Sequence, residues 1–220
     1  MKKLTTTLAL CLGLLSAGGA HANLIAADGG QTVYDADANL YWLADANAAK
    51  TSGYDADGLM TLANAQSWIA SLNTAGYLGY NNWRLPTTLQ LDPTCAGQSG
   101  SASYGNNCTG SEMGNLFYNE LGGAAASSIL TTHNADLALF NNVQSDDYWS
   151  GTEYALNPNL AWVFGTYNGY QGAYTKVGSL FAWAVRPGQV AAVPEPGTEW
   201  LLGIGLLGLM GMARRRLALR

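Results

Sequence analysis

Apolar side chains recur every three or four residues in two stretches of the chain, a spacing that predicts two main helices. The first stripe consists of Leu62, Ala65, Trp68, Ile69 and Leu72. Thr61 precedes it as a helix-capping residue, and Gly76 ends it. The second stripe consists of Met113, Leu116, Phe117 and Leu121. Thr109 and Glu112 stand before it with the spacing of a capping box, in which a hydroxyl and a carboxylate bond to unpaired backbone amides.

Strand-forming residues occupy most of the remaining apolar positions. Two short runs, 32–34 and 40–43, flank a segment rich in Asp and Asn and predict a hairpin. Further strands are predicted over residues 148–154, 160–167, 170–175 and 180–186. The dipeptide at 168–169, Asn-Gly, predicts a two-residue turn between the middle pair. Because antiparallel strands follow the helices instead of alternating with them, the pattern predicts one α+β domain with long loops.

The segment 82–87 joins the two halves of this pattern. Pro86 holds the preceding residue in an extended conformation, so the segment is a strand end or a turn. Arg84 lies between Trp83 and a leucine, in a domain rich in carboxylates. We interpret Trp83, Arg84 and Pro86 as a structural hub whose guanidinium binds carbonyls or acids from distant segments, with an exposed loop arginine as the alternative. A single helical turn is expected next, at residues 89–91.

Both ends of the chain carry signals for export. Two lysines, an apolar run and the triplet Ala-His-Ala make residues 1–22 a secretory signal peptide, which signal peptidase would remove. At the other end, a linker at 189–193 leads to the residues Pro194, Glu195 and Pro196, then to an apolar run, and then to Arg214, Arg215 and Arg216. The apolar run, 200–213, spans about 21 Å as a helix, whereas the hydrocarbon core of a bilayer is ~30 Å thick. Snorkelling arginines and extension of the helix toward the prolines would supply part of the difference.

This tail, residues 194–220, resembles a PEP-CTERM sorting signal in its three parts and in their order. The resemblance implies a Gram-negative bacterium that makes exopolysaccharide, and a membrane exosortase that removes the tail. It implies a tethered intermediate as well, in which the apolar run enters the inner membrane and the arginines stay in the cytoplasm. The final product is then expected at the cell surface or in the extracellular matrix.

The charge between the two signals excludes several classes of partner. Residues 23–193 contain four Lys or Arg against thirteen Asp or Glu, a net charge of −9. Such a domain repels nucleic acid and anionic lipid, and its charge disfavours sulfated polysaccharides. The 27 glycines of the chain favour short strands and irregular loops over a helical bundle.

Cysteine usage predicts one disulfide and no metal site. Cys95 and Cys108 are the only cysteines beyond the signal peptide, and they bracket most of a predicted loop at 92–109. In an exported protein such a pair predicts a disulfide, which stabilises by about 3 kcal/mol in the chain-entropy model. We expect no metal and no cofactor, since no histidine cluster or second cysteine pair accompanies them. Residues 35–39 resemble the start of a calcium loop but lack its glycine and its final glutamate, so a simple turn is expected there.

The central domain, taken as residues 23–188, resembles the Lcl C-terminal-domain-like family. The resemblance is carried, in order, by residues 35–43, the helix around Trp68, and the segments 82–87, 148–154, 161–163 and 185–186. It implies a C-type-lectin-like α+β fold, which formylglycine-generating enzymes also use. The best-studied relatives in this family are surface adhesins that bind sulfated glycans, whereas the net charge of −9 here differs from what such ligands require.

Three functions remain open on the sequence. The first is a non-enzymatic surface or matrix protein that binds a glycan, because sugar rings stack on aromatic faces while polar side chains hold hydroxyls. The candidate ligand-binding residues are Tyr104, Trp149, Glu153, Trp162 and Tyr170. The second is a structural component of the exopolysaccharide matrix without a specific ligand. The third, a formylglycine-generating-like enzyme, lacks the cysteines that it would need after Cys108, and His133 is the only histidine beyond the signal peptide, so no enzyme activity is expected.

Overall fold

The computed structural model describes residues 24–188, so the predicted signal peptide, linker and sorting tail lie outside the described residues. The described strands are β1 Leu24–Ala27, β2 Thr32–Asp35, β3 Leu40–Leu43, β4 Gly97–Ser99, β5 Ala102–Tyr104, β6 Asp147–Glu153, β7 Leu160–Gly165, β8 Tyr170–Thr175 and β9 Val185–Pro187. The α-helices are α1 Ala48–Thr51, α2 Leu62–Ala75 and α3 Glu112–Asn115. This mixture of helices and antiparallel strands confirms the prediction of a single α+β domain.

Two antiparallel sheets form the framework of the domain. The first has the order β1-β2-β3-β9 and includes the predicted hairpin, in which Val33 pairs with Trp42. Its last strand comes from the far end of the domain, so the sheet ties the two ends of the described chain together. The second sheet is a meander of β6, β7 and β8. The small hairpin β4-β5 joins it through a bridge between Gly105 and Gln171.

Helix α2 follows its sequence signals closely. The Thr61 hydroxyl accepts a hydrogen bond from the backbone amide of Asn64, as expected of a cap. Gly76 ends the helix with a φ of 61°, a left-handed conformation that glycine adopts without steric strain. The predicted apolar stripe is buried along its whole length. Local capping and periodicity therefore determine this helix.

The second helix begins later than predicted, and the capping box is wrong. Ser111 is the N-terminal flanking residue of α3, and its side chain makes no cap hydrogen bond. The Glu112 carboxylate binds Arg84 and the backbone amide of Thr87 instead of its own helix. A bidentate bond to a guanidinium is stronger than a bond to a backbone amide, so the long-range partner displaces the local one. After α3 the chain continues as a π-helical segment, Leu116–Glu120.

Two further predictions of local structure are wrong. The expected helical turn at Leu89 and Leu91 is absent, because the amides of Thr88 and Leu89 bond to side chains of Thr152 and Ser111. The turn between β7 and β8 has four residues, 166–169, since Gly165 pairs directly with Tyr170.

The predicted strand at 180–186 is mostly irregular in the structure. Leu180 bridges only Met60, and Phe181 bridges only Tyr148. Regular pairing begins at Val185, where β9 starts. This segment passes from one sheet to the other, so it pairs with neither along its full length.

The core lies where this crossing segment meets both sheets. Trp183 packs edge-on against Trp42 of the first sheet, with ring centroids 5.4 Å apart, and lies 5.6 Å from Tyr148 of the second. Its indole nitrogen donates to the carbonyl of Leu43 at 2.7 Å, which satisfies its only polar atom. Aromatic packing around Trp183 therefore joins the two sheets.

The predicted disulfide between Cys95 and Cys108 is confirmed, with an S–S distance of 2.05 Å. The segment that it closes is not simply a loop, because it contains the β4-β5 hairpin. The buried Asp92 carboxylate lies beside it and accepts hydrogen bonds from both the amide and the hydroxyl of Thr94 and from the amide of Gly110. The disulfide and this carboxylate hold the hairpin against the second sheet.

Between residues 24 and 188, no helix combines the length and the apolarity that a membrane crossing requires. The run at 200–213, for which membrane insertion is predicted, lies outside the described residues.

Candidate functional site

Two of the predicted ligand-binding residues belong to the core. Trp149 and Trp162 are 0% and 1% exposed, so neither ring offers a face to a ligand. The indole nitrogen of Trp149 donates to the carbonyl of Met60 at 2.7 Å, and the ring of Trp162 packs edge-on against Tyr154. Assigning these two tryptophans to a binding surface is therefore wrong, because both rings are buried inside the domain.

The other predicted aromatic residues, Tyr104 on β5 and Tyr170 on β8, are exposed and lie where the small hairpin meets the second sheet. Tyr170 and Tyr174 alternate along β8 and therefore project to the same side. Gly105 pairs antiparallel with Gln171, which places Tyr104 opposite Gly172, between the two β8 tyrosines. The strand register thus places Tyr104 beside the strand that carries Tyr170 and Tyr174.

Each ring of this surface lies over a glycine. A Cβ atom on Gly97 would lie 2.6 Å from the Tyr104 ring, and one on Gly172 would lie 3.1 Å from the Tyr170 ring. The rings of Tyr167 and Tyr174 cover two further glycines in the same way, at 165 and 178.

The four rings, which we name the tyrosine face, are exposed to similar extents: Tyr104 41%, Tyr167 44%, Tyr170 41% and Tyr174 47%. Each of these rings contacts a glycine and leaves nearly half of its surface exposed. The sequence prediction missed Tyr167 and Tyr174, although the alternation of Tyr170 and Tyr174 within a strand was a usable signal.

A carboxylate lies at the border of the tyrosine face. Asp147 pairs with Gly165, and its Oδ1 would be 2.9 Å from a Cβ on that glycine, close to the ring of Tyr167. The pKa of Asp147 is raised, chiefly by burial and secondly by the charge of Asp146. The pKa of Tyr167 is raised as well, chiefly by burial and secondly by the charge of Asp147. The border therefore offers a partly buried hydrogen-bond acceptor beside aromatic rings.

Glu153, the remaining predicted ligand-binding residue, is exposed and forms an ion pair with Lys176. Both residues lie near the end of the second sheet, where Glu153 pairs with Ala161 and Ala161 pairs with Tyr174. The ion pair neutralises one of the few cations of the domain. The tyrosine face is thus bordered by Asp147 on one strand and by a neutral pair at its other end.

Arg84 is held by a residue distant in sequence. Its two terminal nitrogens donate to the two oxygens of Glu112, each at 2.7 Å, and one of them also donates to the carbonyl of Leu85 at 3.1 Å. Its backbone pairs with Val185, so Arg84 links α3 to the start of β9. The side chain is 33% exposed and is therefore only partly buried.

Replacing Arg84 with alanine should lower the free energy of unfolding by about 1–3 kcal/mol, because the half-buried Glu112 loses its partner. Urea denaturation of the exported protein measures this change. Lys176→Ala, which breaks an exposed ion pair, is the matched control and should cost less than about 1 kcal/mol. Equal losses in the two variants would contradict a structural role for Arg84.

The more deeply buried cation is Arg186, which the sequence reasoning did not single out. Its side chain is 2% exposed, and its guanidinium carbon lies 3.6 Å from the ring centroid of Tyr41 and 3.5 Å from that of Tyr80. One terminal nitrogen lies 3.3 Å from a carboxylate oxygen of Asp28. No local pattern around Arg186 indicates this, because its neighbours come from remote segments.

Two acidic side chains are buried at the base of the first sheet. Asp35 is fully buried, and its Oδ1 accepts a hydrogen bond from the amide of Ala38 at 2.8 Å, as expected for the predicted turn. Glu120 is buried nearby, with Asn115 donating to its Oε1 at 3.3 Å. Burial, together with the charges of Asp35 and Asp37, raises the pKa of Glu120 to about 7.

Within the described part of the chain, Asp92, Cys95 and Cys108 form the one group of three metal-ligating side chains whose ligand atoms come within 4.8 Å of one another. The two sulfurs are joined in the disulfide, and the carboxylate is already bonded to Thr94 and Gly110. A disulfide sulfur lacks the thiolate charge that binds zinc or iron. This group therefore stabilises the hairpin and does not offer a metal site.

The described residues form an α+β domain with one disulfide and a group of solvent-exposed tyrosines. The sequence model of the Lcl C-terminal domain matches residues 31–186, and that of the PEP-CTERM protein-sorting motif matches residues 192–216. The chain belongs to the Lcl C-terminal domain family. Its sorting motif marks it as a bacterial protein that is exported, processed by an exosortase and directed to the cell surface or beyond. No curated protein matched the chain.

Proposed function

We propose that the domain binds a neutral glycan outside the cell through the tyrosine face, without catalysis. The observation that carries this proposal is the set of four half-exposed rings at β5, β8 and the turn before β8, each of which contacts a glycine. Sugar rings present apolar C–H faces and polar edges, and aromatic side chains with a polar tip match both. Asp147 at the border supplies an acceptor for sugar hydroxyls.

The charge distribution favours neutral sugars over sulfated ones. Arg84 and Arg186 bind acids of their own chain, and Lys176 is paired with Glu153. Asp147 and Asp146 add negative charge beside the tyrosine face. No excess of cations balances these carboxylates, so their negative charge would repel the sulfate groups of a sulfated chain.

We also propose that the domain is not an enzyme and that its fold is C-type-lectin-like. His133 is exposed, and its Nδ1 contacts the neighbouring carbonyl of Asn134 instead of a carboxylate or a nucleophile. Residues 109–188 contain no cysteine that could act in a formylglycine-generating reaction. The α+β arrangement, with paired ends and long loops, supports a C-type-lectin-like fold.

A glycan array probed with the exported protein should give hits among neutral glycans. Replacing Tyr104 or Tyr170 with alanine should weaken binding to such a hit about tenfold, which corresponds to about 1.4 kcal/mol. Tyr54→Ala is the matched control, because Tyr54 is 44% exposed and lies outside the tyrosine face. Gly172→Ala should cause a smaller loss, since the added methyl group would push on the Tyr170 ring.

A silent array would contradict glycan binding and favour a structural role in the exopolysaccharide matrix. Hits confined to sulfated glycans, or equal losses in the Tyr54 and Tyr104 variants, would show that the tyrosine face is not the binding surface. Circular dichroism of each variant shows whether the fold is retained.

We also propose that the sorting tail holds the protein in the inner membrane only until exosortase cleaves it. The mature protein should therefore lack Arg214, Arg215 and Arg216 and should occur at the cell surface or in the matrix. Intact-mass spectrometry of protein from the native host measures its C-terminus. Protein that ends at Arg220 and stays in the inner membrane would show that the tail is a permanent anchor.

A further inference from the structure

A pocket of about 270 Å³ opens between helix α2 and the segment around Arg84. Its lining residues are Gln66, Ile69, Arg84, Leu85, Thr87 and Gly151. None of them belongs to the tyrosine face. Drug-sized ligands occupy pockets of about 300–1,000 Å³, so this pocket suits a smaller molecule.

The walls of the pocket combine apolar and polar surfaces. Ile69 and Leu85 are buried and supply the apolar side. In the same lining, the Gln66 amide and the Thr87 hydroxyl take part in no side-chain hydrogen bond with residues 24–188, although the Thr87 backbone amide donates to Glu112. An amide and a hydroxyl each both donate and accept, which suits a ligand whose hydroxyl groups do the same.

Arg84 contributes oriented donors without net charge. Glu112 occupies one edge of its guanidinium and neutralises it. Of its five N–H groups, the one on Nε and one on Nη2 remain outside the bonds to Glu112 and Leu85. Because the carboxylate lies 2.7 Å from the guanidinium, an anionic ligand would be repelled by Glu112 as it approached Arg84.

We propose that this pocket binds a single uncharged sugar unit, such as the end of a saccharide chain. The apolar wall of Ile69 and Leu85 faces the C–H side of the ring. Gln66, Thr87 and the remaining donors of Arg84 bind its hydroxyls. This site does not depend on glycan binding by the tyrosine face, since the two surfaces share no residue.

The test is a titration of the ¹⁵N-labelled exported protein with methyl α-glucopyranoside, methyl β-galactopyranoside and methyl α-mannopyranoside, each at millimolar concentration. At least one of them should give saturable shifts of the Gln66 side-chain amide and the Thr87 backbone amide. Gln66→Ala and Thr87→Val should each weaken that binding about fivefold, the range expected for a lost neutral hydrogen bond. Asn64→Ala, two residues away on the exposed side of α2, should leave it unchanged.

Three controls make the result decisive. The variant with both Tyr104→Ala and Tyr170→Ala should bind the sugar at this pocket as the wild type does, which separates this site from the tyrosine face. Sodium sulfate and glucuronate should bind more weakly than the best neutral sugar. Absence of saturable shifts with all three sugars, equal weakening by Asn64→Ala, or tighter binding of sulfate would overturn the proposal.

Discussion

Replacing Arg186 with alanine should lower the free energy of unfolding by about 2–5 kcal/mol, the range for truncating a large buried side chain. The guanidinium lies between the rings of Tyr41 and Tyr80, both within 3.6 Å, and is paired with Asp28. Removing it would leave a cavity between two rings and take one charged partner from Asp28. Urea denaturation, monitored by tryptophan fluorescence, measures the change.

The reason for this large effect is the number of segments that meet at Arg186. The arginine stands on β9 and pairs in register with Tyr41 on β3. Tyr80 comes from the chain after α2, and Asp28 comes from the turn between β1 and β2. The Arg186 side chain thus connects β9 to β3, to the chain after α2 and to the turn between β1 and β2. An alanine at this position would lose all of these contacts.

Two further variants separate charge from shape at this position. Arg186→Lys keeps the charge but loses the planar group that stacks on both rings, so it should lose about 1–2 kcal/mol. Lys50→Ala removes an exposed lysine and should change stability by less than about 0.5 kcal/mol. If Arg186→Ala were no more destabilising than Lys50→Ala, the stacked arginine would not be a main source of stability.

The sequence allowed a structural role to be predicted for Arg84 but not for Arg186. Arg84 was predicted to be a hub because its neighbours in sequence are large and apolar and a proline follows. Arg186 has a similar local setting, with Val185 before it and Pro187 after it. Burial of Arg186 depends on Tyr41 and Tyr80, which are distant in sequence, so a single sequence does not distinguish the two arginines.

Elements with strong local signals were predicted well. Helix α2 has a cap, a periodic stripe and a terminal glycine, and the β2-β3 hairpin has alternating strands around a turn. The second helix was misplaced at its start because Glu112, which the capping box requires, binds Arg84 instead. Local rules failed where a stronger long-range bond competed for the same group.

The candidate site was predicted only in part, for a related reason. Tryptophan and tyrosine were treated as equal candidates for stacking, yet Trp149 and Trp162 are buried while Tyr104 and Tyr170 are exposed. Larger and more apolar rings gain more from burial, and a tyrosine hydroxyl favours a position that reaches water. The grouping of the tyrosines depends on the pairing of β5 with β8, which no local pattern indicates.

The exported protein should lose stability as the pH rises from 4.5 to 8, because of Glu120. Its pKa is about 7 in the folded protein, against 4.5 for an unperturbed glutamate. The folded state therefore holds the proton more tightly than the unfolded state. The stabilisation that the protonated Glu120 contributes is fully present below pH 4.5 and is lost as the pH rises through 7.

The physical cause is the environment of the carboxyl group. Glu120 is buried in the π-helical segment, and Asp35, Asp37 and Asp136 add negative charge around it. Asn115, which donates to Glu120, offsets only part of this cost. Burial also raises the pKa of Asp35, which acts in the same direction. One pKa unit corresponds to about 1.4 kcal/mol, so the difference between 4.5 and about 7 makes the loss between the two pH values on the order of 3 kcal/mol.

Glu120→Gln tests this assignment, because the amide has nearly the same shape and does not titrate. The variant should be about as stable as the wild type at pH 4.5 and more stable by roughly 3 kcal/mol at pH 8. Glu153→Gln, at an exposed position on β6, is the matched control and should leave the pH dependence unchanged. Urea midpoints measured at both pH values decide the outcome. A Glu120→Gln protein that still weakened as steeply as the wild type would place the responsible proton elsewhere.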